Sequence, residues 1–123
     1  HQDSAYNDHI SDFVTAWTPL SDVTPERGGV LLYSGSHRSS SVTHASGGTW
    51  ASEAVMDLSE FEVVHPEIEA GDVLLFSSEL FHESATYSSD SLRFSIDFRI
   101  FAGASDTTKS FYDPFEGSVT RSG

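Results

Sequence analysis

The chain of 123 residues is long enough for one domain with a modest core, and it contains no apolar run that could span a bilayer. It has no cysteine, which excludes a disulfide scaffold, a thiolate metal site and a cysteine nucleophile. A cysteine-free chain fits a reducing compartment, so we expect a cytoplasmic protein. The formal net charge of −13 would repel polyanions, so we expect neither nucleic acid nor an anionic membrane surface as a partner.

The pattern along the chain predicts short strands separated by turns. The first two strands are predicted at residues 13–20 and 29–35, with the turn sequence TPERGG between them. A segment rich in Ser, Thr and Gly at 34–52 predicts a long loop, and DLSEFE near Asp57 predicts the start of a short helical turn. Further strands are predicted at 61–68, ending near Pro66, and at 71–78 after the turn EAGD.

The clearest pattern is LRFSIDFRI at residues 92–100, where apolar and polar side chains alternate with the period of a strand. Such a strand ordinarily turns its polar face, which here includes Arg93 and Ser95, toward water. In a barrel with an internal site, the polar face would instead point inward, and the apolar face would need to be covered from outside. No pattern is found at 104–123, and the short strands and turns together predict an all-β sandwich or barrel.

A candidate metal site begins with the sequence HQD. His1 and Asp3 are two positions apart, so on an extended strand both side chains point to the same face. His82, in SELFHESATY, is the best candidate for a third ligand. Two histidines and one carboxylate on one face of an octahedral metal leave three positions open, as in non-haem Fe(II) oxygenases. The HxD pattern alone is also typical of an exposed strand end.

Arg93 gives the candidate site its context. It follows His82 by eleven residues and shares the polar face of the predicted strand with Ser95. If that face points inward, Arg93 would offer a planar fork to a carboxylate, and Ser95 would offer a hydroxyl to the same group.

The chain resembles the phytanoyl-CoA dioxygenase family of Fe(II)/2-oxoglutarate oxygenases. The matching segments cover most of the chain from His1 to about Phe101 and are, in order, HQD, WTPLSDVTPERGG, YSGSHR, GDVLLFSSELFHES and LRFSIDFRI. The resemblance implies an all-β double-stranded β-helix, which is a cupin-like jelly-roll barrel. Residues 1–103 would be the C-terminal part of that domain, apparently lacking its N-terminal strands and helices, and 104–123 would be a tail.

The resemblance also implies a function. His1, Asp3 and His82 would be the iron ligands, and Arg93 and Ser95 would bind the distal carboxylate of 2-oxoglutarate. The implied enzyme uses Fe(II), 2-oxoglutarate and O2 to hydroxylate a small-molecule substrate, with release of succinate and CO2. A coenzyme A thioester is strongly anionic and this acidic chain has few cations to hold it, so we expect a substrate other than an acyl-CoA.

Two alternatives remain open at this point. A barrel of this type could be a non-catalytic metabolite-binding module, because fold does not fix function. A literal N-terminal histidine could bind copper through its amine and ring in a histidine-brace monooxygenase, although this leaves Asp3 and Arg93 without a role. Of the other candidate residues, Gln2, Trp17 and Phe76 are expected to be structural, His37 to fix its loop by a hydrogen bond, and His44 to be solvated.

Overall fold

The regular secondary structure of the computed structural model is mostly β-strand. The structure describes residues 1–7, 9–10, 12–39, 44–45, 53–54, 56–90, 92–102 and 109–121, with 44–45 and 53–54 as backbone only. Within these ranges the strands are β1 (Phe13–Pro19), β2 (Gly29–Tyr33), β3 (His44–Ala45), β4 (Glu53–Ala54), β5 (Val63–Val64), β6 (Leu74–Ser77), β7 (His82–Ala85), β8 (Ser95–Phe101), β9 (Phe111–Asp113) and β10 (Ser118–Thr120). The helical elements there are 3-10 turns at Asp3–Ala5, Pro25–Arg27 and Ser36–Arg38.

Two antiparallel three-stranded sheets form the body of the fold. One has the order β6-β1-β8 and the other β5-β2-β7, while β3–β4 and β9–β10 are separate two-stranded pairs. β1 lies in the centre of the first sheet and pairs along its whole length with β8. This is an all-β, cupin-like arrangement, as predicted. Within the described ranges, no helix is long and apolar enough to cross a membrane.

The core lies between the two sheets. Trp17 on β1 and Phe76 on β6 pack with Val30 on β2 and with Val23, which precedes it. Each strand therefore contributes the side chains of one face, as the period of two requires. Trp17 and Phe76 are buried, as expected from the sequence.

The strand β8 turns its polar face inward, so the ordinary expectation for such a strand is wrong here. Arg99 reaches the buried Asp3 carboxylate, and the Arg93 guanidinium lies 5.4 Å from the centre of the Trp17 ring. The apolar side chains of Ile96 and Ile100 are about half exposed on the opposite face. The inward face offers the two guanidinium groups a carboxylate and an aromatic ring, and these partners explain the orientation.

Several local predictions differ from the structure. The segment near Asp57 forms a turn rather than a helix. The Asp57 carboxylate accepts a hydrogen bond from the Ser59 N–H at 2.9 Å, which stabilises the turn. Part of the predicted loop at 34–52 is ordered as the 3-10 turn Ser36–Arg38 and the β3–β4 pair; residues 40–43 and 46–52 lie outside the described residues. The tail at 104–123, where the sequence shows no pattern, contains the β9–β10 hairpin. Residues 103–108 and 122–123 lie outside the described residues.

Phe81, which is 0% exposed, tests how far stability depends on the packing beside the second sheet. Phe81→Ala should lower the free energy of unfolding by about 3–5 kcal/mol, because it removes a fully buried ring and leaves a cavity. The control is Phe115→Ala, since Phe115 is 97% exposed and its loss should change stability by no more than about 0.5 kcal/mol. Urea unfolding measures both, and equal effects of the two variants would contradict the description of the core.

Candidate metal centre

Two backbone hydrogen bonds bring the first residue beside β7. The main-chain nitrogen of His1 donates to the His82 carbonyl at 2.9 Å, and the His82 N–H donates to the His1 carbonyl at 3.0 Å. The Ser4 N–H adds a third bond, to the Ser78 carbonyl at 3.1 Å. This pairing explains how two histidines 81 positions apart in sequence become neighbours.

The residues of the HQD sequence are divided between two roles. Asp3 begins the 3-10 turn Asp3–Ala5 and is buried. Gln2 is also buried, and its Nε2 donates to the Glu79 carbonyl at 2.9 Å. This bond attaches residues 1–3 to the turn that precedes β7. Gln2 is thus structural, as expected, while His1 and Asp3 lie on the side of His82.

The three predicted ligands converge on one point. The Nε2 atoms of His1 and His82 are each 3.7 Å from Asp3 Oδ1, and one ligand atom from each residue lies within 4.8 Å of the others. Donors that each lie about 2.1 Å from a shared ion are separated by about 3–4 Å. Two imidazoles and a carboxylate in this arrangement fit a divalent transition metal.

The protonation states of the site suit metal binding. Burial alone would raise the pKa of Asp3, but hydrogen bonds with His1 and Thr15 and the charges of His82 and Arg99 outweigh it and hold that pKa below its ordinary value. Burial lowers the pKa of His82, so its imidazole is neutral near pH 7. Metal ligands must be an ionised carboxylate and neutral imidazoles, and these two residues are already in that form.

Thr15 and Arg99 contact Asp3, and sequence reasoning did not single them out. The Thr15 hydroxyl donates to Asp3 Oδ2 at 2.5 Å, and Arg99 Nη2 donates to Asp3 Oδ1 at 3.1 Å. Arg99 follows Arg93 by six residues, so the period of two in the predicted strand 92–100 assigns both to one face. That periodicity was the signal that could have identified Arg99 once the face was known to point inward.

Arg93 and Ser95 are also placed together. Arg93 Nη1 donates to the Ser95 hydroxyl at 3.0 Å, and the guanidinium lies over Trp17. Ser95 and Arg99 are four positions apart on β8, so both lie on the same face of that strand. Their predicted role toward a carboxylate remains a prediction.

Aromatic side chains surround the histidines. The rings of Tyr6 and His1 meet edge to face at 5.1 Å, and those of Phe76 and His82 at 4.8 Å. Phe76 also lines a cavity of about 430 Å³ between β2, β5 and β6, with Leu32, Val64 and Leu80. Tyr6 and Phe76 thus give the two histidines aromatic neighbours.

Ser36, rather than the neighbouring His37, supplies the side-chain hydrogen bond that holds the 3-10 turn Ser36–Arg38 against Phe81. Its buried hydroxyl accepts from the Phe81 N–H at 3.0 Å, while His37 is exposed at the mouth of the cavity. The side chain of His44 lies outside the described residues.

Comparison with known proteins agrees with this geometry. The sequence model of the Phytanoyl-CoA dioxygenase (PhyH) family matches residues 1–95, a range that includes all three members of the metal-ligand group. The chain belongs to the phytanoyl-CoA dioxygenase family.

One curated protein with a similar sequence is the 1-deoxypentalenic acid 11-beta-hydroxylase of Streptomyces arenae. The two are 34% identical over 111 residues, which covers 81% of the present chain and 39% of the hydroxylase. The chain thus spans about two fifths of that relative's length.

The turn that carries Ser36 leads to a test. Ser36→Ala should lower the free energy of unfolding by about 1–3 kcal/mol, because the buried N–H of Phe81 loses its side-chain acceptor. Ser34→Ala is the control, since Ser34 is exposed. Thermal or urea unfolding measures the difference, and a Ser36→Ala protein as stable as Ser34→Ala would refute the assignment.

Proposed function

We propose that the protein is an Fe(II)/2-oxoglutarate-dependent dioxygenase that hydroxylates a small molecule. The observation that carries the proposal is the convergence of His1, Asp3 and His82 within 4.8 Å in a member of this family. Three protein donors leave room for other ligands on an octahedral metal, which a closed structural site would not.

In this proposal His1, Asp3 and His82 hold the iron. Bound iron would supply the activation of O2 that is coupled to conversion of 2-oxoglutarate to succinate and CO2 and to hydroxylation of the substrate. Asp3 contributes a negative charge to the site, and His82 contributes a neutral donor whose other ring nitrogen is 2.9 Å from the Leu80 carbonyl. A carbonyl in that position orients the imidazole.

Arg93 and Ser95 are proposed to bind the distal carboxylate of 2-oxoglutarate. Their mutual hydrogen bond at 3.0 Å supports this role, because it places a guanidinium fork and a hydroxyl side by side. The Trp17 ring beneath Arg93 limits the orientations of the guanidinium.

Succinate formation tests the proposal. The protein supplied with Fe(II), 2-oxoglutarate and O2 should form succinate, and His82→Ala should reduce this at least about 100-fold, because loss of a direct ligand exceeds the effect of removing a ligand's partner. His37→Ala is a matched control, since it removes an exposed imidazole that is not in the ligand group. Metal binding without succinate would favour a metabolite-binding module instead, and equal activity of the two variants would reject the metal assignment.

The substrate is proposed to be a small molecule other than an acyl-CoA, and neither nucleic acid nor a membrane surface is proposed as a partner. The name of the Streptomyces arenae relative, a hydroxylase of 1-deoxypentalenic acid, supports a small-molecule substrate. The net charge of −13 disfavours each of these polyanions.

A competition experiment checks the choice of substrate. Acyl-CoA at micromolar concentration should leave 2-oxoglutarate turnover unchanged, because the chain has few cations to hold the phosphates. The corresponding free fatty acid is the control for binding through the acyl chain alone. Saturable acyl-CoA binding in the micromolar range, measured by calorimetry, would overturn this prediction.

A further inference from the structure

We propose that Thr15 is a positioning residue of the metal centre, which fixes the orientation of the Asp3 carboxylate so that Oδ1 alone faces the metal. The inference rests on the proposed function, because it assumes that His1, Asp3 and His82 hold a metal. It adds a residue outside the ligand group and a defined task for it.

The two oxygens of the Asp3 carboxylate have different surroundings. Oδ1 faces both imidazoles, at 3.7 Å from each Nε2, whereas Oδ2 accepts the hydrogen bond from the Thr15 hydroxyl. Thr15 is 1% exposed, so water does not compete for its hydroxyl. The hydroxyl therefore holds Oδ2 on the side of β1.

The sheet makes this orientation rigid. Thr15 lies on the central strand, where it is aligned with Phe76 on β6 and with Arg99 on β8. Arg99 donates to Oδ1 from β8, and its other terminal nitrogen is 3.2 Å from the Asp97 carboxylate. The plane of the carboxylate is thus defined by two neighbouring strands rather than by the short 3-10 turn on which Asp3 itself lies.

A fixed carboxylate plane has a chemical consequence. A carboxylate free to rotate can bind a metal through both oxygens and would then occupy a position that 2-oxoglutarate or O2 needs. The hydrogen bond from the Thr15 hydroxyl to Oδ2 opposes that rotation. Removal of a side chain that hydrogen-bonds a metal ligand typically lowers metal affinity 10- to 100-fold. Thr15 is such a side chain, because its hydroxyl donates to Asp3.

The test compares Thr15→Val, which keeps the shape but removes the hydroxyl, with Thr15→Ser, which keeps the hydroxyl. Co(II) serves as the probe, because its visible absorption reports both affinity and coordination number. We expect Thr15→Val to weaken Co(II) binding by about 10- to 100-fold and to change the visible absorption spectrum, because a second carboxylate oxygen would take one of the positions that the three protein donors leave open. Thr15→Ser should retain the affinity and the spectrum of the parent protein.

The outcomes separate this inference from the proposed function. If the parent protein binds Co(II) no better than His82→Ala does, the metal site itself is wrong. If His82→Ala loses binding while Thr15→Val and Thr15→Ser share the affinity and spectrum of the parent, Thr15 is not a positioning residue. A purely structural role would lower the stability of Thr15→Val without altering the spectrum of the folded protein. Thr15→Ala provides the same comparison if Thr15→Val fails to fold.

Discussion

The buried carboxylate of Asp3 is the constraint on which the rest of the structure depends. An ionised carboxylate removed from water loses several kcal/mol of solvation free energy unless charged and hydrogen-bonding partners replace the solvent. Asp3 is 3% exposed, and its partners are the Thr15 hydroxyl, the Arg99 guanidinium and two imidazoles. Because Thr15 and Arg99 come from β1 and β8, the pairing of these strands supports the site as well as the sheet.

The orientation of β8 follows from the same constraint. Arg99 reaches Asp3 only if the polar face of the strand points inward, and the period of two then sends Ile96, Phe98 and Ile100 outward. The local pattern of the strand is therefore compatible with two opposite orientations. The tertiary contacts of Arg93 and Arg99 favour one of them.

The sequence predicted the strands, and the three residues that the structure brings together, better than it predicted the side chains that contact Asp3. The strand around Ile96 was recognisable from periodicity, and those around Trp17 and Phe76 from apolar segments bounded by turn signals. His1, Asp3 and His82 were named from spacing, residue type and the family resemblance. Thr15 was missed because a threonine in a strand is ordinary, and nothing in its neighbourhood shows that its hydroxyl meets a carboxylate. Arg99 was missed because its role depends on which face of β8 is buried.

Longer-range pairing also exceeds what a pattern can predict. The strand β7 is short and lacks clear alternation, so only its pairing with β2 and with the backbone of His1 defines it. The β9–β10 hairpin is likewise defined by its backbone pairing, because each strand has only three residues. In both cases the register is set by backbone hydrogen bonds, which carry no signature in residue type.

The outward apolar face of the β6-β1-β8 sheet bears on colloidal behaviour. Side chains 41–59% exposed along this face include Val14, Leu75, Ile96, Phe98 and Ile100. A contiguous apolar surface favours association between copies, whereas the net charge of −13 opposes their approach. That repulsion is screened over about 8 Å at physiological ionic strength. The acidity of the chain therefore keeps copies apart, whereas the exposed apolar face of β8 draws them together. Added salt weakens only the repulsion and thereby shifts the balance toward association.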